Sequence, residues 1–167
     1  VILAIDNLFG LPAHPLIVHL PVFLVPLTAA GAIWCAVSST WRAKIGWLVV
    51  GLSLVSLVSI QLAMSSGESL QHRVDRDPLV ERHAQLADAM RPLEAGVLVL
   101  AAGMMLVDRR RRRGGAASWT KPVVIGLAAL TAVTGVASVV QVGRVGHSGA
   151  RSVWHDTPKA RPGVGGG

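Results

Sequence analysis

At 167 residues the chain has the length of one domain, but 51% hydrophobic residues, 15% charged residues and a mean hydropathy of +0.53 exclude an ordinary soluble domain. The net charge of +7 does not describe a nucleic-acid-binding face, because five of the positive charges form the single block Arg109–Arg113. The single cysteine, Cys35, excludes an intrachain disulfide, a CxxC zinc site and a c-type haem attachment.

The chain reads as an all-α integral membrane protein, a four-transmembrane-helix bundle over residues 13–154. Residues 1–12 are apolar but interrupted by Asp6 and Asn7, which predicts a segment lying at the membrane interface. The first span, about 15–37, starts with Pro15 and contains Pro21 and Pro26; each of the latter two removes an intrahelical bond and crowds the preceding turn, so a kink is expected near His19. No basic leader precedes this run, so it is expected to remain as a helix rather than to be cleaved. A polar turn, SSTWRAK, carries Arg42 and Lys44 into a second span, about 45–70. Gln61, Glu68 and His72 return to one face of that helix.

The third span, about 79–107, must begin near Pro78 to be long enough, and it carries Arg91 and Glu94 into or near the membrane. The arginine block follows, then a fourth span, about 122–143. There Thr131, Thr134, Ser138 and Gln141 form a polar stripe suited to close helix packing. Residues 155–167, rich in Pro and Gly, read as a flexible tail. No internal repeat is evident between the two helix pairs, so an inverted-repeat transporter has no support. Trp34, Trp41, Trp47, Trp119 and Trp154 fall near span ends, as interfacial residues do.

Positive charge favours the cytoplasmic side of an inner membrane, which places Arg42, Lys44, Arg109–Arg113 and Lys121 inside and both termini outside. Arg109–Arg113 would meet anionic lipids there. All six histidines then fall in the outer half. Counting about 1.5 Å per residue from each cytoplasmic end, His14, Glu68, His83 and His147 each lie roughly 35 Å along, and His19 roughly 28 Å. Four helices thus offer His14, Glu68, His83 and His147 as metal ligands in one layer, with His14, His19, His83 and His147 as candidate cofactor ligands.

Imidazoles with one carboxylate suit zinc, iron or copper, whereas haem b would need only two histidines from facing helices. His72 and His155 read as solvent-exposed. No Ser-His-Asp order, phosphate-cradling glycine loop or HExxH supports a hydrolase or nucleotide enzyme. An alternative is a non-catalytic accessory subunit whose histidines cap helices. An ion transporter drawing on Glu94 would need polar groups extending to the cytoplasmic half.

The three stretches HPLIVHLPVFLVPL, SGESLQHRVDRDPLVERHAQLAD and VGRVGHSGARSVW, in this order, resemble the family of small bacterial four-span membrane proteins catalogued as domain of unknown function twenty-two thirty-one. The resemblance covers Gly10 to Trp154. It implies that His14, His19, Glu68, His83 and His147 occupy the family's polar motif positions, with aspartate in place of His147 in some members. Relatives joined to Rieske-type or cytochrome-c-type modules imply a place in membrane electron transfer, with respiratory or redox subunits as partners.

Overall fold

The computed structural model describes residues 7–8, 11–71, 77–114 and 117–154. Its helices are α1 (Ala13–Ile17), α2 (His19–Val37), α3 (Ser39–Gln71), α4 (Pro78–Asp88), α5 (Met90–Arg112) and α6 (Thr120–Trp154). Ahead of them β1 (Asn7–Leu8) pairs antiparallel with β2 (Leu11–Pro12). Most of the expected interfacial segment, the tail from residue 155, His72 and His155 lie outside the described residues. Helices α1 and α2 form one apolar element, as do α4 and α5, so the chain presents four candidate membrane spans, in agreement with the expected all-α bundle.

The bundle is apolar outside, and its interior sets buried polar side chains among apolar ones. Phe23, Leu54, Val58, Val99, Val133 and Val140 are more than half exposed, whereas Thr28, Ser53, Ser56, Glu94, Thr131 and Ser138 are sealed from contact with solvent. Lipid tails are as apolar as leucine, so such a surface carries no penalty in hydrocarbon. The interior can then be given to small and hydroxyl residues that bring backbones close. Gly135 of α6 faces the Ala29 backbone of α2 in this way, and Gly31 of α2 lies against Val49 of α3. At about 1.5 Å per residue, the 33 residues of α3 and the 35 of α6 outreach a hydrocarbon core of about 30 Å, so both ends of the bundle project into the headgroup layers.

The expected kink is present: the first helix bends by 25°. The third span, expected to run unbroken over 79–107, is interrupted at Ala89. Both interruptions, at Val18 and at Ala89, lie three residues before a proline, Pro21 and Pro92, whose missing N–H leaves a carbonyl of the preceding turn unpaired. The second and fourth helices are longer than the hydropathy pattern indicates, 39–71 and 120–154 against 45–70 and 122–143.

The four long helices form a ring in the order α2, α3, α5, α6, with α2 and α5 on one diagonal. This ring contains an internal repeat that residue identities conceal. A step of 69 residues carries His14 onto His83, and the buried Pro21, Val25, Thr28, Ala32 and Cys35 onto the buried Met90, Glu94, Val97, Ala101 and Met104. A step of 82 carries the buried Arg42, Val49, Ser53, Ser56 and Ser59 of α3 onto the buried Val124, Thr131, Gly135, Ser138 and Gln141 of α6. The expectation of no repeat is therefore corrected. The two halves run in the same direction and are related by a pseudo-two-fold along the bundle axis, the parallel rather than the inverted kind.

The arginine end is closed by a buried ion network. Arg42 Nη1 donates to Cys35 O (2.8 Å), its Nε stands 3.4 Å from Asp108 Oδ1, and Arg112 Nε donates to Asp108 Oδ2 (2.6 Å). Arg112 Nη2 also donates to Ser39 O at 2.7 Å, so α2, α3 and α5 are tied together at their ends. Around this network Trp34 and Trp41 meet edge to face, Lys44 lies over Trp41, and Arg110 lies over Trp119, an aromatic belt at headgroup level.

Candidate functional site: a histidine pair on the pseudo-two-fold axis

At the opposite end, each half contributes a short helix bearing one histidine. His14 sits on α1, immediately before Pro15, and α1 packs on the far end of α3. His83 sits in the middle of α4, a helix begun by Pro78, with the Asp77 side chain accepting from Leu79 N (2.7 Å). Helix α4 packs along the far end of α6, where Gln141 Nε2 donates to Leu86 O at 2.7 Å. This packing explains why α6 continues past Gly143, Gly146 and Gly149, where the sequence reads as a helix stop. The partner helix offsets the roughly 1 kcal/mol that each glycine costs.

The two imidazoles are held alike. His14 Nδ1 lies 2.9 Å from Ala63 O and 3.2 Å from Ser66 Oγ, and Ser66 donates its own hydroxyl to Ala63 O. His83 Nδ1 lies 3.1 Å from Val145 O and 3.0 Å from Ser148 Oγ, and Ser148 donates to Val145 O. A carbonyl can only accept, so in both residues Nδ1 carries the proton and Nε2 keeps its lone pair. Gly67 and Gly149 lie against the imidazole edges: a Cβ at either position would stand 3.0 Å from the histidine Cε1. Both rings are half-buried, their centroids are 6.3 Å apart, and their planes cross at 75°.

The other expected ligands do not join this pair. Glu68, His147 and His19 are exposed. On α3 the residue that faces His14 is Gly67, and Glu68 points about 100° further round the helix. On α6 Gly149 faces His83, which leaves His147 about 200° away. The first-helix bend lies beyond His14 and does not turn His19 inward. Among the described residues no group of three or more His, Cys, Asp or Glu side chains is placed to hold a metal ion, so the His14, Glu68, His83 and His147 set is not assembled.

Ser66, Gly67, Ser148 and Gly149 were absent from the expected site. The signal for them is the Ser-Gly dipeptide, which occurs near the end of the second helix in SSGES and of the fourth in GHSGA. Beneath the pair, Val25, Ile60 and Met90 form an apolar floor with Met64, Val142 and Val145 packed against it.

No curated protein and no solved structure matches the chain. A family model described as Predicted membrane protein (DUF2231) matches residues 10–160. That match takes in both short histidine helices, all four spans and both Ser-Gly positions, and the chain belongs to this family of predicted membrane proteins.

Proposed function

We propose that His14 and His83 would together hold one haem b, and that the protein is a membrane electron carrier serving a respiratory or redox assembly. The observation that carries this reading is a pair of equivalently held imidazoles with, among the described residues, no third ligand-type side chain grouped with them. A structural zinc site takes four protein ligands, whereas a porphyrin supplies four of the iron's six and leaves two for the protein. The two imidazole centroids stand 6.3 Å apart, with the ring planes crossing at 75°.

The bound iron would supply one-electron transfer. The chain's own contributions are local. Each Nδ1–H, donated towards a helix carbonyl, fixes ring orientation and raises the basicity of Nε2. Gly67 and Gly149 give the rings room to lie on α3 and α6, and the floor formed by Val25, Ile60 and Met90 keeps water from reaching the site through the bundle. The purified protein is expected to carry about one haem b per chain, with a Soret band and pyridine haemochrome of the b type. If copper or another metal replaces haem in stoichiometric amount, the pair is a two-coordinate metal site. If neither is present, the accessory-subunit reading stands, with the histidines stapling α1 to α3 and α4 to α6.

The same reading sets the protein in an inner membrane with its arginine end in the cytoplasm. Arg42 and Lys44 sit beside the α2–α3 turn and Arg109–Arg113 with Lys121 beside the α5–α6 turn, at one end of the bundle, where they meet anionic headgroups. Cysteine introduced at Glu68 should react with an impermeant maleimide on intact cells, and cysteine at Arg111 only after the membrane is opened. Cys35, 1% exposed, should stay silent. The reverse pattern would invert the topology.

A further inference from the structure

The middle of the bundle contains five buried polar atoms without a hydrogen-bond partner among the described residues: Thr28 Oγ1, Ser53 Oγ, Ser56 Oγ, Glu94 Oε1 and Ser138 Oγ. They come from all four long helices, and each of these side chains is 0% or 1% exposed. Contacts around the ring place them in one layer. Glu94 of α5 lies beside Ser56 of α3. Gly96, two residues on, meets Thr134 of α6. Gly135, one turn from Ser138, meets Ala29 of α2, next to Thr28. Gly31 of α2 meets Val49, one turn from Ser53.

A carboxylate inside a bilayer with no cation beside it among the described residues, and with only Ser56 at hand among hydroxyls that otherwise lack partners there, is unfavourable on every count. Two additions resolve it together. A proton on Glu94 removes the charge, and bound water gives the orphaned hydroxyls and the acid their partners. Among the described residues no cation does this. Arg91, one turn from Glu94 on the same helix, is exposed, and its Nε lies 3.1 Å from Met64 Sδ. On the helices packed around α5, the nearest charged or titratable groups to the layer are Lys44 and Glu68 on α3, Arg144 on α6, Cys35 and His19 on α2 and Asp88 on α4. All lie at least six residues along from the layer, about 9 Å of helix rise or more. The pseudo-two-fold equivalent of Glu94 is Val25, so this feature belongs to one half only and does not arise from the fold's symmetry.

We propose that Glu94, with Thr28, Ser53, Ser56 and Ser138, forms an intramembrane proton-binding site in which the carboxylic acid is held by a buried water cluster. The site is separate from the histidine pair and does not depend on haem. The proton adds to one carboxylate oxygen, which then donates, while the second oxygen accepts from water or from Ser56.

Infrared spectroscopy of the full chain in lipid vesicles at neutral pH tests this. The expected result is a protonated-carboxyl carbonyl band that moves down in D2O, is lost in Glu94→Gln and persists, displaced, in Glu94→Asp. Ser56→Ala and Ser138→Ala should shift the same band by changing its hydrogen bonds, which keeps the test valid if Glu94→Gln fails to fold. A wild-type protein without such a band, or a band unchanged by all four substitutions, would overturn the proposal. So would a thermal midpoint raised by sodium chloride over choline chloride in wild type and not in Glu94→Gln, which would make the bound species a sodium ion.

Discussion

Asp108→Ala is expected to destabilise the protein by about 3–5 kcal/mol, the cost of leaving a buried charge without its partner. Asp108 and Arg42 have side chains only 5% and 7% exposed, and Asp108 Oδ1 and Oδ2 face Arg42 and Arg112. Removing the carboxylate strands the Arg42 guanidinium between the end of α2 and the start of α3, with the Cys35 and Ala36 carbonyls as its remaining acceptors. Arg112→Ala should be far milder, at or below about 1 kcal/mol, because that side chain is half exposed and its charge is solvated. Urea or thermal unfolding in detergent gives both values. Equal losses from the two substitutions would mean that burial at this end does not set the energetics. Removing both Arg42 and Asp108 in favour of apolar residues of similar size should recover most of the loss, since the pair and its desolvation then vanish together.

His83→Ala should abolish haem b binding, and His14→Ala should do the same, because the two residues are held equivalently and both would be needed to hold the iron. In each single variant the remaining ring keeps its own Nδ1 anchor, to Ala63 O or to Val145 O, so the loss reflects the missing iron ligand and leaves the other half of the site in place. A drop in haem content of about a hundredfold or more is expected from either substitution, at or beyond the upper end of what losing a supporting residue costs a metal site. Substituting the exposed His19, His147 or Glu68 should leave occupancy near wild type, which separates the pair from the wider ligand set that sequence depth alone brings together. Loss of haem from His147→Ala with retention in His83→Ala would move the ligand to the other side of α6.

What the sequence made legible, and what it did not, follows from the difference between distance along a helix and angle around it. Rise per residue is nearly constant, so the depths of His14 and His83 could be counted from the charged ends, and their meeting was readable. Direction around the axis accumulates every local irregularity, so the same count placed Glu68 and His147 beside them when Gly67 and Gly149 occupy those directions. The break at Ala89 had a visible cause in Pro92, yet an apolar run of this length reads as unbroken when hydropathy alone is followed. The extension of α6 to Trp154 was concealed by glycines whose cost is offset by α4, a contact that local sequence does not contain. The repeat was hidden because its halves share burial at more positions than residue type: His14 answers to His83 and Ser66-Gly67 to Ser148-Gly149, but Val25 answers to Glu94 and Arg42 to Val124. Seven-tenths exposed valines beside fully buried serines would be an error in a soluble protein. In a lipid solvent they are the expected pattern, and the composition had already announced it.

The pseudo-symmetry gives the two functional layers different characters. The histidine pair lies where the halves agree, so any ligand on the axis sees two like imidazoles. Glu94 lies where the halves differ, which confines a titratable group to one side of the bundle centre. A carrier of electrons at one end and a proton-holding acid in the middle would be two independent devices in one small frame, and each can be removed without touching the other.

The central claim, that His14 and His83 together ligate one iron, is tested most directly by near-infrared magnetic circular dichroism of the oxidised, purified protein. The expected result is the porphyrin-to-iron charge-transfer band of low-spin haem with two imidazole ligands, present in wild type and absent from both His14→Ala and His83→Ala. A high-spin spectrum, a band belonging to a different axial pair, or a bis-imidazole band that survives either substitution would contradict it.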